Sequence, residues 1–249
     1  MRKDGTVWAW GRSLLKDRSA AGRGLPVLIE GLNGVKAVSS HGETAFAIRS
    51  DGALWGWHVT QGANTQTPLG FDFGIRVKSD SPIPLPGLKD IATIQAGPGW
   101  SLAIDRSGDV WSFGPAADRG QLGRGDVSDK PLSKKVAGLR DAISVAAGWF
   151  HSLAACRDGS VWAWGMGFLG VSDNPRESYL IRKTTPRKVL NLSGITAISA
   201  GEENALALRE DGTVWAWGRN DWGAIGDGTW EDRPLPVQVP GVNAYNGKK

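Results

Sequence analysis

The segment EDGTVWAWG, residues 210–218, decides the fold, because close copies of its last eight residues occur five times in the chain. DGTVWAWG begins at Asp4, DGALWGWH at Asp51, SGDVWSFG at Ser107, DGSVWAWG at Asp158 and DGTVWAWG again at Asp211, at intervals of 47, 56, 51 and 53 residues. A period near 50 residues marks a propeller or another repeat array. Each copy reads as the second half of a β-hairpin. Asp-Gly is a strong hairpin turn signal, and the Val-Trp-Ala-Trp that follows suits an extended strand. The turn is expected to be type I′, in which Gly supplies a positive φ.

Upstream of the last four copies stands a second shared element: SSHGETAFAI, QAGPGWSLAI, AAGWFHSLAA and SAGEENALAL. Four residues before each anchor is Ala47, Ala103, Ala154 or Ala207, and five before is Phe46, Leu102, Leu153 or Leu206. A short apolar segment begins each unit at Val35, Ile91, Ala142 and Ile195. One unit is therefore four short strands, called A to D, separated by turn residues. The chain is read as all-β: a β-propeller, or an open partial propeller, of four-stranded antiparallel blades. Four full repeats follow an N-terminal half repeat in a single domain, 1–249, with units 1–34, 35–90, 91–141, 142–194 and 195–249.

Strand C has no polar face, since Val7 and Ala9 alternate with Trp8 and Trp10. It must be covered on both sides, as blades stacked around an axis are and the sheet of a two-layer sandwich is not. Nine of the thirteen tryptophans lie in these strands and are expected in the core: Trp8, Trp10, Trp55, Trp57, Trp111, Trp162, Trp164, Trp215 and Trp217. The tail AYNGKK, 244–249, is too short to supply strands A and B for the leading half repeat. An open arc, a piece of a longer protein, and a homo-oligomer pairing its blade edges all stay open.

The formal charge of +4 is spread along the chain. Its densest basic stretches, 12–23 and 182–188, read as solvated loops, so no nucleic-acid partner is expected. Cys156 is the one cysteine, which excludes an intrachain disulfide, and its place in strand B marks it as core. No apolar run reaches membrane-spanning length and the N-terminus has no apolar h-region. The expectation is a soluble chain, with no membrane partner and no signal peptide, of undefined compartment.

Residues 147–165, AGWFHSLAACRDGSVWAWG, and 199–228, SAGEENALALREDGTVWAWGRNDWGAIGDG, resemble the repeats of the regulator of chromosome condensation family, and GQLGRG at 120–125 resembles their tail. The short VWAWG form is similar to bacterial-type members and to the repeats of a β-lactamase inhibitor protein. The resemblance implies propeller blades, usually seven in a closed ring, from which four and a half units depart.

In such a blade the A–B and C–D connections leave from one side of the disk, and these are the variable segments. Variation on one side of a uniform scaffold is how repeat proteins build binding surfaces. The expected partner-binding residues are Trp100, Trp149, Phe150, His151, Glu202, Glu203, Asn204, Asn220, Asp221, Trp222 and Trp230, and the expected function is a non-enzymatic scaffold for a protein partner. His41, His58 and His151 fall in different units, so no nucleophile with a positioned base is expected. Asp221, Asp227, Glu231 and Asp232 lack the spacing of a calcium loop and read as a solvated loop. No cofactor or metal is expected. The resemblance implies three alternatives: nucleotide exchange on a small GTPase, inhibition of a secreted enzyme such as a β-lactamase, and ultraviolet sensing. For the last, Gly148-Trp149-Phe150-His151-Ser152 approximates the Gly-Trp-Arg-His-Thr of plant photoreceptors.

Overall fold

The computed structural model describes residues 1–10, 25–42, 44–58, 81–114, 118–125, 133–172, 174 and 182–245, all of them strand, turn or irregular, with no helix among them. The basic stretch 12–23 lies outside these residues. The leading half blade is β1 (Trp8–Ala9) paired with β2 (Val27–Leu28). The second blade is β3 (Val35–His41), β4 (Thr44–Arg49), β5 (Leu54–His58) and β6 (Ile83–Pro84). The third is β7 (Ile91–Ala96), β8 (Ser101–Asp105), β9 (Val110–Phe113) and β10 (Lys134–Lys135). The fourth is β11 (Ala142–Ala147), β12 (His151–Cys156), β13 (Val161–Met166) and β14 (Arg182–Lys188). The fifth is β15 (Ile195–Ala200), β16 (Asn204–Arg209), β17 (Thr213–Gly218) and β18 (Arg233–Asn243). Each full blade is an antiparallel sheet in the order A-B-C-D. The basic stretch 182–188 is strand D of the fourth blade, rather than a loop.

Four apolar layers lie between successive blades, and strand C contributes to two of them. In the fourth blade Val161 and Ala163 pack with Ala205, Ala207 and Trp217 of the fifth. Trp162 and Trp164 pack with Leu102, Val110 and Leu122 of the third. The lack of a polar face in this strand thus has its cause in two neighbours.

The hairpins differ from expectation in turn type. Arg49 N–H bonds to Ala53 O and Gly52 N–H to Arg49 O, and only the glycine has positive φ (85°). This is a three-residue loop, a type I turn closed by a left-handed glycine. Close approach also demands glycine there: a Cβ on Gly159 would stand 2.6 Å from the amide of Gly194, in the connection leading to the fifth blade.

The aspartate before it has its own task. Asp4, Asp158 and Asp211 each accept the amide and hydroxyl of the Thr or Ser two residues on, and that hydroxyl accepts the indole N–H of the first strand-C tryptophan. These bonds hold the carboxyls of Asp4, Asp158 and Asp211 below the ordinary aspartate range. The first tryptophans are only half buried, and Arg2, Arg49 and Lys135 lie over the rings of Trp8, Trp55 and Trp111.

The second strand-C tryptophan is the inter-blade residue: Trp57, Trp164 and Trp217 are buried. Trp10 is the correction among the nine, with 64% of its surface exposed, since it faces outward from the leading half blade. Cys156 is buried as expected.

Candidate functional site

The A–B turns and C–D connections meet on one side of the arc. Arg219, following strand C, donates its amide to Glu203 O at 3.0 Å and its guanidinium to Glu203 Oε2 and Asp221 Oδ2. Met166 makes the equivalent amide bond to Phe150 O in the fourth blade. Successive turns are joined as well: Trp149 N–H donates to Glu202 O at 3.0 Å, and the Arg119 guanidinium lies 4.1 Å from the ring of Phe150. Trp149, Phe150, Glu202, Glu203 and Asp221 therefore form one continuous surface across two blades.

Trp222 and Trp230 stand on the fifth blade's C–D connection, with 84% and 71% of their surface exposed. Trp149, with complete blades on both sides, is 46% exposed and makes an edge contact with Phe150. Large rings in water are unfavourable, so three on one side are the apolar content of this surface.

The connection that carries them keeps Asp221, Glu231 and Asp232 exposed, as read from its acids, while its backbone is ordered from within. Asn220 is fully buried. Its Nδ2 donates to Thr229 O and Glu231 O at 3.0 Å, and its Oδ1 accepts the Ile225 amide at 2.9 Å. Asp227 accepts from Thr229 and pairs with Arg233, which together bring its carboxyl down to about 2. Asp232 accepts the Asn220 amide. Asn220 is thus the post of the loop and presents no polar group outward.

Two other expected contact residues are interior. Trp100 is buried, and its indole N–H donates to Ser152 Oγ of the next blade at 3.0 Å. His151 occupies the equivalent position one blade on; it is buried, its Nε2 has no partner, and burial pushes its pKa down to about 4 against a partly offsetting bond with the Asn204 backbone. His151 opens strand B of the fourth blade and Trp100 stands just before strand B of the third, both aimed at the neighbouring blade. Asn204, the same position in the fifth blade, is half buried. Sequence reading missed Gln121, whose carbonyl accepts from Ser152 Oγ and Trp164 Nε1 at 2.9 and 2.7 Å. The recurrence of Leu-Gly or Ile-Gly at 122–123, 169–170 and 225–226 was the available signal.

The regulator of chromosome condensation (RCC1) repeat is matched by two models, one at residues 142–170 and 195–223, the other at 107–155 and 211–247. Among curated proteins the chain is similar to the ultraviolet-B receptor UVR8 of Arabidopsis thaliana, 26% identical over 98% of this chain and 56% of that one. It is also similar to protein pim1 of Schizosaccharomyces pombe, 30% identical over 95% and 47%, and to the E3 ubiquitin-protein ligase HERC2 of Mus musculus, 27% identical over 94% and 5%. The chain thus spans about half of the first two and a small part of the third. Among solved structures it superimposes on Saccharomyces cerevisiae Prp20p, described with its binding to Gsp1p and histones, at a TM-score of 0.76 and 22% identity, covering 94% of this chain and 59% of that one. Human WBSCR16 gives 0.75 and 20%, covering 96% and 63%. With repeats in register in sequence and in space, the chain belongs to the regulator of chromosome condensation repeat family.

Proposed function

We propose that the chain is a non-enzymatic scaffold that binds a protein partner through the A–B turns and C–D connections of its fourth and fifth blades. The observation that carries this reading is Trp149, which stays exposed although a full blade flanks it on each side, and which is continuous with Glu202, Glu203 and Asp221. Exposed aromatic anchors set in a rigid, internally bonded frame are the pattern of interface hot spots, because little side-chain entropy is lost on docking. Asn220 and the Asp227–Arg233 pair supply that rigidity to the loop bearing Trp222 and Trp230.

The test is affinity capture with the wild-type chain and with the Trp149→Ala/Trp222→Ala/Trp230→Ala variant, both verified as folded by circular dichroism. Proteins held by the wild type and released by the variant are expected. An identical captured set from both would overturn the reading.

A further inference from the structure

We propose that a cleft in the fourth blade, lined by the Trp162 ring and Asp158, is a recognition site for an arginine side chain of a protein partner. The cleft lies where the connection from the third blade meets the B–C turn of the fourth, joined by the Arg157 amide donating to Asp141 O. It opens on the side of the disk opposite Trp149, has a four-stranded blade on each side, and is separate from the binding surface proposed above.

The other blades define what belongs at this position. Six residues before the first strand-C tryptophan stand Arg2, Arg49 and Arg209, and four before it stand Asp4, Asp51 and Asp211. The Arg49 guanidinium lies 5.8 Å from the Trp55 ring centre and 4.0 Å from Asp51. Arg2 lies 4.6 Å from the Trp8 ring centre, and Arg209 Nε is 3.8 Å from Asp211. In the third blade a lysine takes the role from strand D, with Lys135 Nζ 5.4 Å from the Trp111 ring centre and bonded to Asp109. A ring face and a carboxylate side by side suit a guanidinium, which stacks on the one and pairs with the other.

The fourth blade keeps the ring and the carboxylate and omits the cation. Asp158, Ser160 and Trp162 form the usual relay, but the place of the arginine is taken by Cys156. Among the described residues no cation lies over the Trp162 ring, although Lys188 stands across the strand pair from it and acts on Asp158. The space left is a cleft of about 500 Å³ lined by Arg140, Asp141, Cys156, Arg157, Asp158 and Trp162. Burial first, and then the charges of Asp158 and Asp141, hold the Cys156 thiol above its ordinary value, so the cleft is electronegative where an arginine stem would lie. Arg140 and Arg157 are exposed beside it and select the flanks of the incoming arginine, which are acidic.

The probe is the acetylated, amidated tripeptide Glu-Arg-Glu, titrated into the nitrogen-15-labelled full chain and read at the indole N–H resonances. The signal lost in Trp162→Phe assigns Trp162. A saturable shift of that signal is expected, half complete at roughly 1–10 mM peptide. The same peptide with citrulline for arginine keeps the shape and drops the charge, and is expected to bind at least about tenfold more weakly. Cys156→Arg installs the residue that the second blade has here; it is expected to abolish the response and to move the Trp162 signal of the free chain in the direction the peptide moves it. Trp149→Ala is expected to leave the titration unchanged, which separates this outcome from that of the binding surface. Absence of a saturable shift at Trp162 in the wild type, an equal response to the citrulline peptide, or undiminished binding by folded Cys156→Arg would overturn the proposal. Binding that appears only in Lys188→Met would show Lys188 to be the ring's own cation, and would overturn it too.

Discussion

The indole N–H of Trp164 donates to the backbone carbonyl of Gln121 at 2.7 Å across the boundary between the third and fourth blades. The same carbonyl accepts from Ser152, whose hydroxyl accepts from Trp100, so four residues of two blades share one buried polar chain. Buried tryptophans need such acceptors, and here a C–D connection supplies them. The repeated frame therefore uses part of the segment that varies most between blades.

Ser152→Ala tests the chain of bonds directly. Ala45 and Ala205 occupy the equivalent position in the second and fifth blades, so the shape is tolerated and the expected loss is that of the hydrogen bonds. A decrease of about 1–3 kcal/mol in unfolding free energy by urea titration is expected. The double variant with Trp100→Phe should lose less than the sum of the two single changes, because the residues are coupled.

Ala53→Thr should stabilise the protein. The second blade has Ala53 where Thr6, Ser160 and Thr213 stand in others, and Trp55 Nε1 is buried with no acceptor. A hydroxyl there completes the Asp-Thr-Trp relay, with an expected gain of about 1 kcal/mol. A fall in unfolding midpoint would show that the strand cannot accommodate the added atoms.

Asn220→Ala removes the post of the fifth blade's loop and leaves the Thr229 and Glu231 carbonyls and the Ile225 amide without their partner. A loss of about 2–3 kcal/mol is expected. Proteolysis should then cut first within 219–233, while the hairpins of the second to fourth blades keep their protection from hydrogen exchange.

His151 predicts a pH response of defined sign. Its folded pKa, about 4, lies below the ordinary value of 6.5, so the unfolded chain binds the proton more readily. Its contribution is full above about pH 6.5, declines as pH falls, and is lost by about pH 4, a change on the order of 3 kcal/mol. His151→Asn, which installs the residue found at this place in the fifth blade, should flatten stability across that window.

Much of the fold was legible because the DG hairpin recurs with fixed offsets. The apolar segment that begins at Ile195 opens β15, Leu206 and Ala207 lie in β16, and the copy of the hairpin at Asp211 supplies β17. The errors come from contacts between units, which a single repeat does not encode. Trp10 has the core pattern of Trp164, and differs only in having no Leu-Gly pair upon it. Trp100 and His151 sit in variable turns and looked like surface residues, yet strand B opens toward the next blade and carries them inward. Asn220 was placed on the face correctly as a segment and incorrectly as a side chain, since its amide satisfies the loop backbone.

The division of the thirteen tryptophans between a buried frame and an exposed side is the central claim, and oxidative footprinting of the dilute folded chain read by peptide mass spectrometry tests it most directly. Trp149, Trp222 and Trp230, together with Trp10, should be modified rapidly. Trp57, Trp100, Trp164 and Trp217 should resist until the chain unfolds. Modification of Trp100 or Trp164 at the rate of Trp149, or protection of Trp149 and Trp230 in the monomer, would contradict the account.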